Sequence, residues 1–388
     1  MRASPLHASP SVRRLVQRGF TLIELMIAVA LSTLVGILIY TVFINQTQAY
    51  RSQADMGTMQ QNLRVGMEML SRDISMAGYG LGNDGAAWGA HGHSSNFGAP
   101  TGADSDRLWG MWIAQDFPVG SGHDAIELVM QNPSRDTWAW VMGQALDCGT
   151  SAINFHDDWA AQALQYDPAV GAADILCYHP HHRGKPGSFL WQVAGAGASG
   201  SVPVGTNAQS DFTTQCQETL PQRMICAPLR WVAYYIDDDA SDGIGIGSAE
   251  LPVLYYVPDV SRVVATTGVY PHIDDIPIAL GVEDLQFEVC LGGSGLDCQD
   301  PTSWTAGMDL TAGIDWNDVT AVRIHVVART LRPDPQRTNV SAGLDPDPDD
   351  GFTISNLGVV DGYHRRLGTT EVMVRNAVGA WQMDNAGW

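Results

Sequence analysis

The chain has 388 residues, a formal net charge of -21 at neutral pH and hydrophobic residues at 45% of its positions. So acidic a surface repels nucleic acid and anionic lipid, which argues against nucleic-acid binding through a broad basic patch and leaves only a small local basic cluster open. No nucleic-acid partner is therefore expected. The length is sufficient for one large or two small globular domains beside a membrane segment.

The N-terminus combines a basic leader with a long apolar run. Residues 1–19 contain four arginines and no acidic residue, and residues 20–44 read FTLIELMIAVALSTLVGILIYTVFI. As a helix, this run is long enough to cross a hydrocarbon core of about 30 Å. No small-residue cleavage site follows it, so it is not an ordinary secretory signal. The leader charge predicts a cytoplasmic N-terminus and an extracytoplasmic remainder, with a mature charge near -25 once the four leader arginines are removed from -21.

Glu24 is the one charged residue in the apolar run. A carboxylate at membrane depth is unfavourable by about 2.5 kcal/mol or more unless it finds a partner. Its position near the cytoplasmic end of the run therefore marks Glu24 as a functional residue.

Helical periodicity continues through residues 45–78. Apolar residues recur every three or four positions in this segment: Met56, Met59, Leu63, Met67, Leu70 and Ile74. Charged residues are expected on the other faces: Arg64, Glu68, Arg72 and Asp73. The pattern predicts one continuous helix of about 55 residues whose second half packs on a sheet, and Gly78 is expected to end it.

Strand patterns are found mainly in the C-terminal part. The segments with β-branched and aromatic residues bounded by Gly, Pro or Asp are 125–130, 229–236, 253–257, 285–291, 319–329 and 369–375. Residues 79–226 are predicted to be a variable insertion of unassigned fold, and residues 227–388 the C-terminal β-sheet region. The predicted fold class is α+β, a long N-terminal helix packed on an antiparallel sheet with large loop insertions.

Six cysteines lie beyond the apolar run: Cys148, Cys177, Cys216, Cys226, Cys290 and Cys298. An even number in an oxidising compartment predicts three disulfides. Fifteen connectivities are open. Pairing between neighbours (148 with 177, 216 with 226, 290 with 298) is the starting expectation, and free or metal-bound thiols are the alternative.

Two acidic loops set carboxylates at alternate positions before a glycine, as calcium loops do. They contain Asp237, Asp239 and Asp242, and Asp345, Asp347 and Asp349. Neither loop ends in the Glu of an EF-hand, so calcium binding and a solvated acidic turn both stay open. Apart from calcium, no cofactor is expected. The sequence contains no GxSxG, HExxH, SxxK or Walker-type loop, so we expect no enzyme activity and no catalytic residues.

The segment 18–24, RGFTLIE, resembles the class III signal of type IV pilins and of the pseudopilins of type II secretion. The resemblance implies that a prepilin peptidase cuts after Gly19 and that Phe20 becomes the methylated N-terminus. It also implies that Glu24 neutralises the terminal amine of a neighbouring subunit in the filament.

Further segments are similar to the large minor pilins of the PilW type: LSRDISMAGYG at 70–80, RWVAYYI at 230–236, GVEDLQFEV at 281–289, WNDVTAVRIHVVART at 316–330 and YHRRLGTTEVMVRN at 363–376. The resemblance implies a minor pilin that acts at or near the tip of a type IV pilus, helps to initiate assembly and presents a tip adhesin. Its implied partners are other minor pilins, the major pilin, the adhesin, the prepilin peptidase and the inner-membrane assembly platform. Its implied location is the inner membrane, with a periplasmic C-terminal domain, and then the pilus at the cell surface.

Two other functions stay open. One is a tip pseudopilin of a type II secretion system, which shares the signal and the helix. The other is a membrane-anchored periplasmic enzyme or binding protein whose active part lies in the unmatched insertion. Neighbouring genes for other minor pilins would favour the pilus function, and neighbouring genes for a secretion channel would favour the pseudopilin. A pocket with clustered ionisable groups in the insertion would indicate the enzyme or binding protein.

Overall fold

The computed structural model describes residues 20–78, 86–87, 107–108, 110–114, 122–131, 139–140, 151–154, 174–178, 188–192, 201–203, 225–237, 245–246, 249–258, 275–291, 298, 303–306, 319–334 and 362–374. The chain divides into two units, Met1–Ala54 and Asp55–Trp388. Most of the predicted insertion, residues 79–226, lies outside the described residues. Its extent as a domain therefore stays a prediction.

A single helix, α1 (Leu22–Ser75), confirms the predicted 55-residue element. Within the first unit its apolar side chains are exposed, from Leu22 at 77% to Phe43 at 63%. The most apolar 18-residue window has a mean hydropathy of 2.5, so the helix is long and apolar enough to cross a membrane.

Serine and threonine hydroxyls of this apolar segment donate hydrogen bonds back to the helix. Thr33 Oγ1 lies 2.8 Å from the carbonyl oxygen of Val29, and Thr41 Oγ1 lies 2.8 Å from that of Ile37. Ser32 makes the same kind of bond at 3.0 Å. Hydroxyls satisfied in this way suit a hydrocarbon environment, where no water replaces a missing partner.

The second unit contains the strands. The first nine are β1 (Ala86–Ala87), β2 (Arg107–Leu108), β3 (Met111–Ala114), β4 (Ala125–Gln131), β5 (Ala139–Trp140), β6 (Ala152–Asn154), β7 (Asp174–Tyr178), β8 (Ser188–Gln192) and β9 (Ser201–Pro203). The others are β10 (Ile225–Asp237), β11 (Gly245–Ile246), β12 (Ala249–Glu250), β13 (Val253–Val257), β14 (Ile276–Leu280), β15 (Val282–Leu291), β16 (Trp304–Ala306), β17 (Val319–Arg329) and β18 (Arg365–Met373). All six predicted strands are present.

The described strands form two main sheets. The larger is centred on β10, which pairs antiparallel with β4 and β13 along one half and with β5 and β7 along the other. The second sheet has the order β16-β15-β17-β18 and is antiparallel throughout. Two further pairs, β11 with β12 and β6 with β9, lie outside both sheets, and β1 pairs parallel with β8. The α+β class is confirmed, with the predicted sheet divided in two.

The second half of α1 packs on both sheets. Met59, Leu63, Leu70 and Ile74 of the predicted stripe are buried in one core with side chains of β4, β10, β15 and β17. Gly78 ends the helical segment in a left-handed conformation, φ 71°, that favours glycine, and its amide donates to the carbonyl oxygen of Val129 at 2.8 Å.

The prediction that Asp73 lies away from the packed face of α1 is wrong. It is 3% exposed and accepts a hydrogen bond of 2.7 Å from the hydroxyl of Tyr234 on β10. The guanidinium of Arg230 lies 3.5 Å from the same carboxylate oxygen. Because a buried carboxylate needs such partners, Asp73 fixes the end of the helix to the larger sheet. Burial, together with the nearby Asp73 carboxylate, raises the pKa of Tyr234, so this phenol remains a neutral donor.

Candidate filament-assembly site

The start of α1 is a capping box. The Glu24 carboxylate accepts hydrogen bonds from the amide of Thr21 at 3.0 Å and from its hydroxyl at 2.9 Å, both on Oε2. The Glu24 amide in turn donates to Thr21 Oγ1 at 3.3 Å. Residues of the T-x-x-E pattern cap a helix in this reciprocal way, so the backbone groups at the first turn are satisfied locally.

The capping box positions Glu24 for a second interaction. Within the described part of the chain, no residue donates a hydrogen bond to the other carboxylate oxygen, Oε1. Glu24 is exposed. An ammonium group from outside the chain can therefore reach one oxygen while Thr21 holds the other, and a charge-assisted bond of this kind is stronger than a neutral one.

The predicted processing residues lie at the edge of the described part. Phe20 is its first residue and is 86% exposed, whereas Gly19 lies outside it. Thr21 is the residue of this site that the sequence analysis missed. Its signal was present, because a threonine three residues before a glutamate is the spacing of a capping box.

The calcium prediction is not tested, because only one of its six aspartates lies in the described part of the chain. Asp237 ends β10 and is 4% exposed, while Asp239, Asp242, Asp345, Asp347 and Asp349 lie outside the described residues. Among the described residues, no group of three His, Cys, Asp or Glu side chains is placed to hold a metal ion. Calcium binding stays a prediction, and calorimetry at millimolar calcium with no heat and no shift in melting temperature would contradict it.

One predicted disulfide is confirmed. Cys290 and Cys298 are bonded, with their Cα atoms 5.9 Å apart, and the bond closes the loop after β15. Cys148 and Cys216 lie outside the described residues. The backbones of Cys177 on β7 and Cys226 on β10 lie directly opposite each other in the antiparallel pair. The other two predicted pairings stay predictions.

A buried ionic cluster lies on the second sheet. Glu288 is 2% exposed and accepts hydrogen bonds from Arg323 at 2.8 Å and from the ring of His325 at 3.2 Å. Burial alone would raise the pKa of Glu288, but the bonds from His325 and Arg323 together hold its pKa below the ordinary value. The Arg323 guanidinium also stacks on the ring of Trp304, 4.1 Å from its centroid. These contacts join three neighbouring strands, so the cluster stabilises the sheet.

The helix and its first turn define the class of this protein. A membrane-length helix that opens on an exposed carboxylate and continues into an α+β domain is the architecture of a pilin-like subunit. Residues 14–40 match the family model described as the prokaryotic N-terminal methylation motif. Residues 233–376, from β10 to just beyond β18, match the model described as type IV pilus-assembly protein W.

Together the two matches are those of a PilW-type pilin with a class III signal. The PilW-type assignment made from the sequence is thus confirmed. No curated protein and no solved structure matches the chain.

Proposed function

We propose that this protein is a minor pilin that takes its place at or near the tip of a type IV pilus, helps to initiate assembly and presents a tip adhesin. The observation that carries the proposal is the exposed Glu24 carboxylate at the start of α1, with one oxygen held by Thr21 and the other open. The PilW match and the methylation motif support the same reading.

The proposed mechanism begins in the inner membrane. The leader stays in the cytoplasm, the apolar part of α1 spans the bilayer, and the second unit faces the periplasm. The prepilin peptidase cuts after Gly19, which creates a positively charged N-terminus at Phe20. The assembly platform then moves the helix out of the membrane, and Glu24 pairs with the N-terminal amine of a neighbouring subunit. The pair neutralises two charges that are unfavourable in an apolar helix bundle.

The size of the second unit supports a terminal position. It comprises Asp55–Trp388, more than 300 residues. A globular part of this size is difficult to repeat along a thin filament without steric conflict. We therefore propose that the protein occurs once or a few times per pilus, with other minor pilins, the major pilin and an adhesin as partners. Its role in this account is structural and involves no catalysed reaction.

The position in the filament is directly testable. An epitope tag at the C-terminal end of the chain, detected by immunogold labelling of sheared pili, should appear at one filament end and not along the shaft. A tagged major pilin is the control and should label the whole length. Periodic labelling by this protein would contradict the terminal position, and processed protein confined to a secretion pseudopilus would favour the pseudopilin alternative.

A further inference from the structure

Strand β18 forms the outer edge of the second sheet. It pairs on one side with β17 over nine residues, from Arg329 opposite Arg365 to Ala321 opposite Met373. The amide of Thr330 donates to the carbonyl oxygen of His364, and the amide of Val374 donates to that of Thr320. Because hydrogen-bonded pairs alternate along an antiparallel ladder, the even-numbered residues from 364 to 374 bond to β17.

The odd-numbered residues of β18 therefore direct their backbone groups away from β17. Leu367, Thr369, Glu371 and Met373 present a row of amides and carbonyls along this edge. Within the described part of the chain, no backbone group bonds to this row from the open side. An unpaired edge without proline is a template on which another extended segment can add as a strand.

A groove lies beside this edge, between α1 and β18. Its volume is about 840 Å³, within the range of ligand-binding clefts. Leu63 and Met67 of the helix lie against Gly368, where an added Cβ would meet Met67 Sδ at 2.5 Å. The close approach at this glycine brings the helix next to the strand, so an added segment would contact both elements.

The groove carries positive charge on an otherwise acidic protein. Arg64 of α1 and Arg366 of β18 line it and are exposed, and Glu68 is the acidic residue of the lining. Among the described residues, neither arginine forms an ion pair. Two guanidinium groups that have no ion-pair partner in the described part of a chain of net charge -21 favour an occupant that carries a carboxylate.

We propose that the open edge of β18 is a docking site for an extended segment of a different filament subunit, which adds as a strand beside β18 and places an acidic side chain at Arg64 and Arg366. The partner's identity as a filament subunit rests on the proposed function. A terminal position means that few copies are present, which favours a different chain over a second copy of this one.

Site-specific cross-linking in whole cells tests the proposal with the full-length protein. The photoreactive residue p-benzoylphenylalanine replaces Met373, a side chain on β18 that is 65% exposed. The matched control carries it at Ile276, which is 47% exposed on the edge strand of the other sheet. We expect the Met373 probe, and not the Ile276 probe, to cross-link another pilin subunit through a peptide that contains Asp or Glu.

Backbone variants separate strand addition from a side-chain contact. Thr369→Pro removes an outward amide that β17 does not use, whereas Thr369→Val keeps the amide; both remove the hydroxyl that contacts His325. With the Met373 probe in place, Thr369→Pro should reduce the cross-linked product about fivefold or more, and Thr369→Val should not. Equal products from the two variants would contradict strand addition.

Charge variants test the two arginines. Arg64→Glu and Arg366→Glu should each reduce the cross-linked product about tenfold, because a like charge then faces the carboxylate. Arg72→Glu is the control, since Arg72 is exposed on the same helix but does not line the groove. Equal product from all three variants would contradict an acidic occupant.

The remaining outcomes are equally decisive. Cross-links from Met373 to residues 335–361 or 375–388 of the same chain would show that the protein covers its own edge, and cross-links to a second copy would make it a self-association site. Either result overturns the proposal, as does a filament that contains the protein without any cross-link. Absence of the protein from filaments would contradict the proposed function, and the inference with it.

Discussion

At the scale of single residues, the proposed function depends on the Glu24 carboxylate. Glu24→Ala should leave membrane insertion and cleavage after Gly19 intact and should reduce incorporation into filaments about tenfold or more, because the neighbouring amine loses its partner. Thr21→Val is the matched control: it keeps the carboxylate and weakens the helix cap by about 1 kcal/mol. Immunoblots of sheared filaments and of membranes give the two amounts.

Comparison with Thr21→Val shows whether a loss of incorporation is due to the missing carboxylate or to a weaker helix start. Thr21→Val should reduce incorporation much less than Glu24→Ala does, because it keeps the carboxylate and the backbone amide that donates to it. Normal incorporation of Glu24→Ala, or an equal loss in both variants, would contradict the role assigned to the carboxylate.

Glu288 gives a second residue-scale prediction, in which stability depends on pH. Its folded-state pKa lies below the ordinary value, so its contribution is present above an unfolded pKa of about 4.3 and is lost as the pH falls through the folded value. Glu288→Gln should therefore destabilise the protein at pH 7, by about 1.5–3 kcal/mol. Its deficit relative to the unmodified protein should shrink below about pH 4.

Thermal unfolding of the full-length protein in detergent at pH 7 and pH 3 measures this difference. Glu371→Gln is the control, because Glu371 meets the same Arg323 but its side chain is 57% exposed. An exposed ion pair contributes about 0–1 kcal/mol, so this variant should unfold nearly as the unmodified protein does. A Glu288→Gln deficit of the same size at both pH values would contradict the account.

Residue-scale features were the least predictable from the sequence. The sequence predicts Asp73 away from the apolar face because helical periodicity shows only that a position is polar, and its partner Tyr234 lies 161 residues further along the chain. Glu288, Arg323 and His325 were read only as parts of strands, since cross-strand partners depend on register. Glu24 was recognisable as a candidate because a charge inside an apolar run is conspicuous without any tertiary information, and its role in assembly stays a prediction.

At the scale of elements, the contact of α1 with β18 depends on Gly368. Gly368→Ala would place a Cβ 2.5 Å from Met67 Sδ and 3.1 Å from Leu63 Cδ1, so the side chains must shift. We expect a loss of about 1–3 kcal/mol. In a Met67→Ala background the same change should be less destabilising, because the nearest clashing atom is gone.

Gly57→Ala is the matched control for this comparison of single and double variants. Gly57 also belongs to α1, but no atom lies within 4 Å of its built Cβ. An alanine there should stabilise the helix by up to about 1 kcal/mol. Strictly additive effects of Gly368→Ala and Met67→Ala in thermal unfolding would contradict direct packing at this point.

Elements were more predictable than single residues. The helix and the six strands were visible because periods of 3.6 and 2 residues record which face is buried. The ends were less clear: β18 begins at Arg365, four residues before the predicted start, where two arginines interrupt the apolar alternation. Division into two sheets was not predictable, since pairing partners are set by contacts far apart in sequence.

At the scale of the whole molecule, the chain joins an apolar helix to a large acidic domain. The serine and threonine hydroxyls at 32, 33 and 41 in the apolar half of α1 bond to the helix's own carbonyl oxygens, and the apolar side chains are exposed. The second half is covered by two sheets. These two environments suit the proposed function, in which one helix is first held in a bilayer and later becomes part of a filament.

In the proposed function, the protein is cleaved after Gly19 and incorporated into a pilus through this helix. Mass spectrometry of sheared surface filaments, with a search for an N-terminal peptide that begins at methylated Phe20, is the decisive experiment. We expect this peptide in the filament fraction, at a small fraction of the amount of the major pilin. An uncleaved chain, or a cleaved chain found in the membrane and never in filaments, would contradict it.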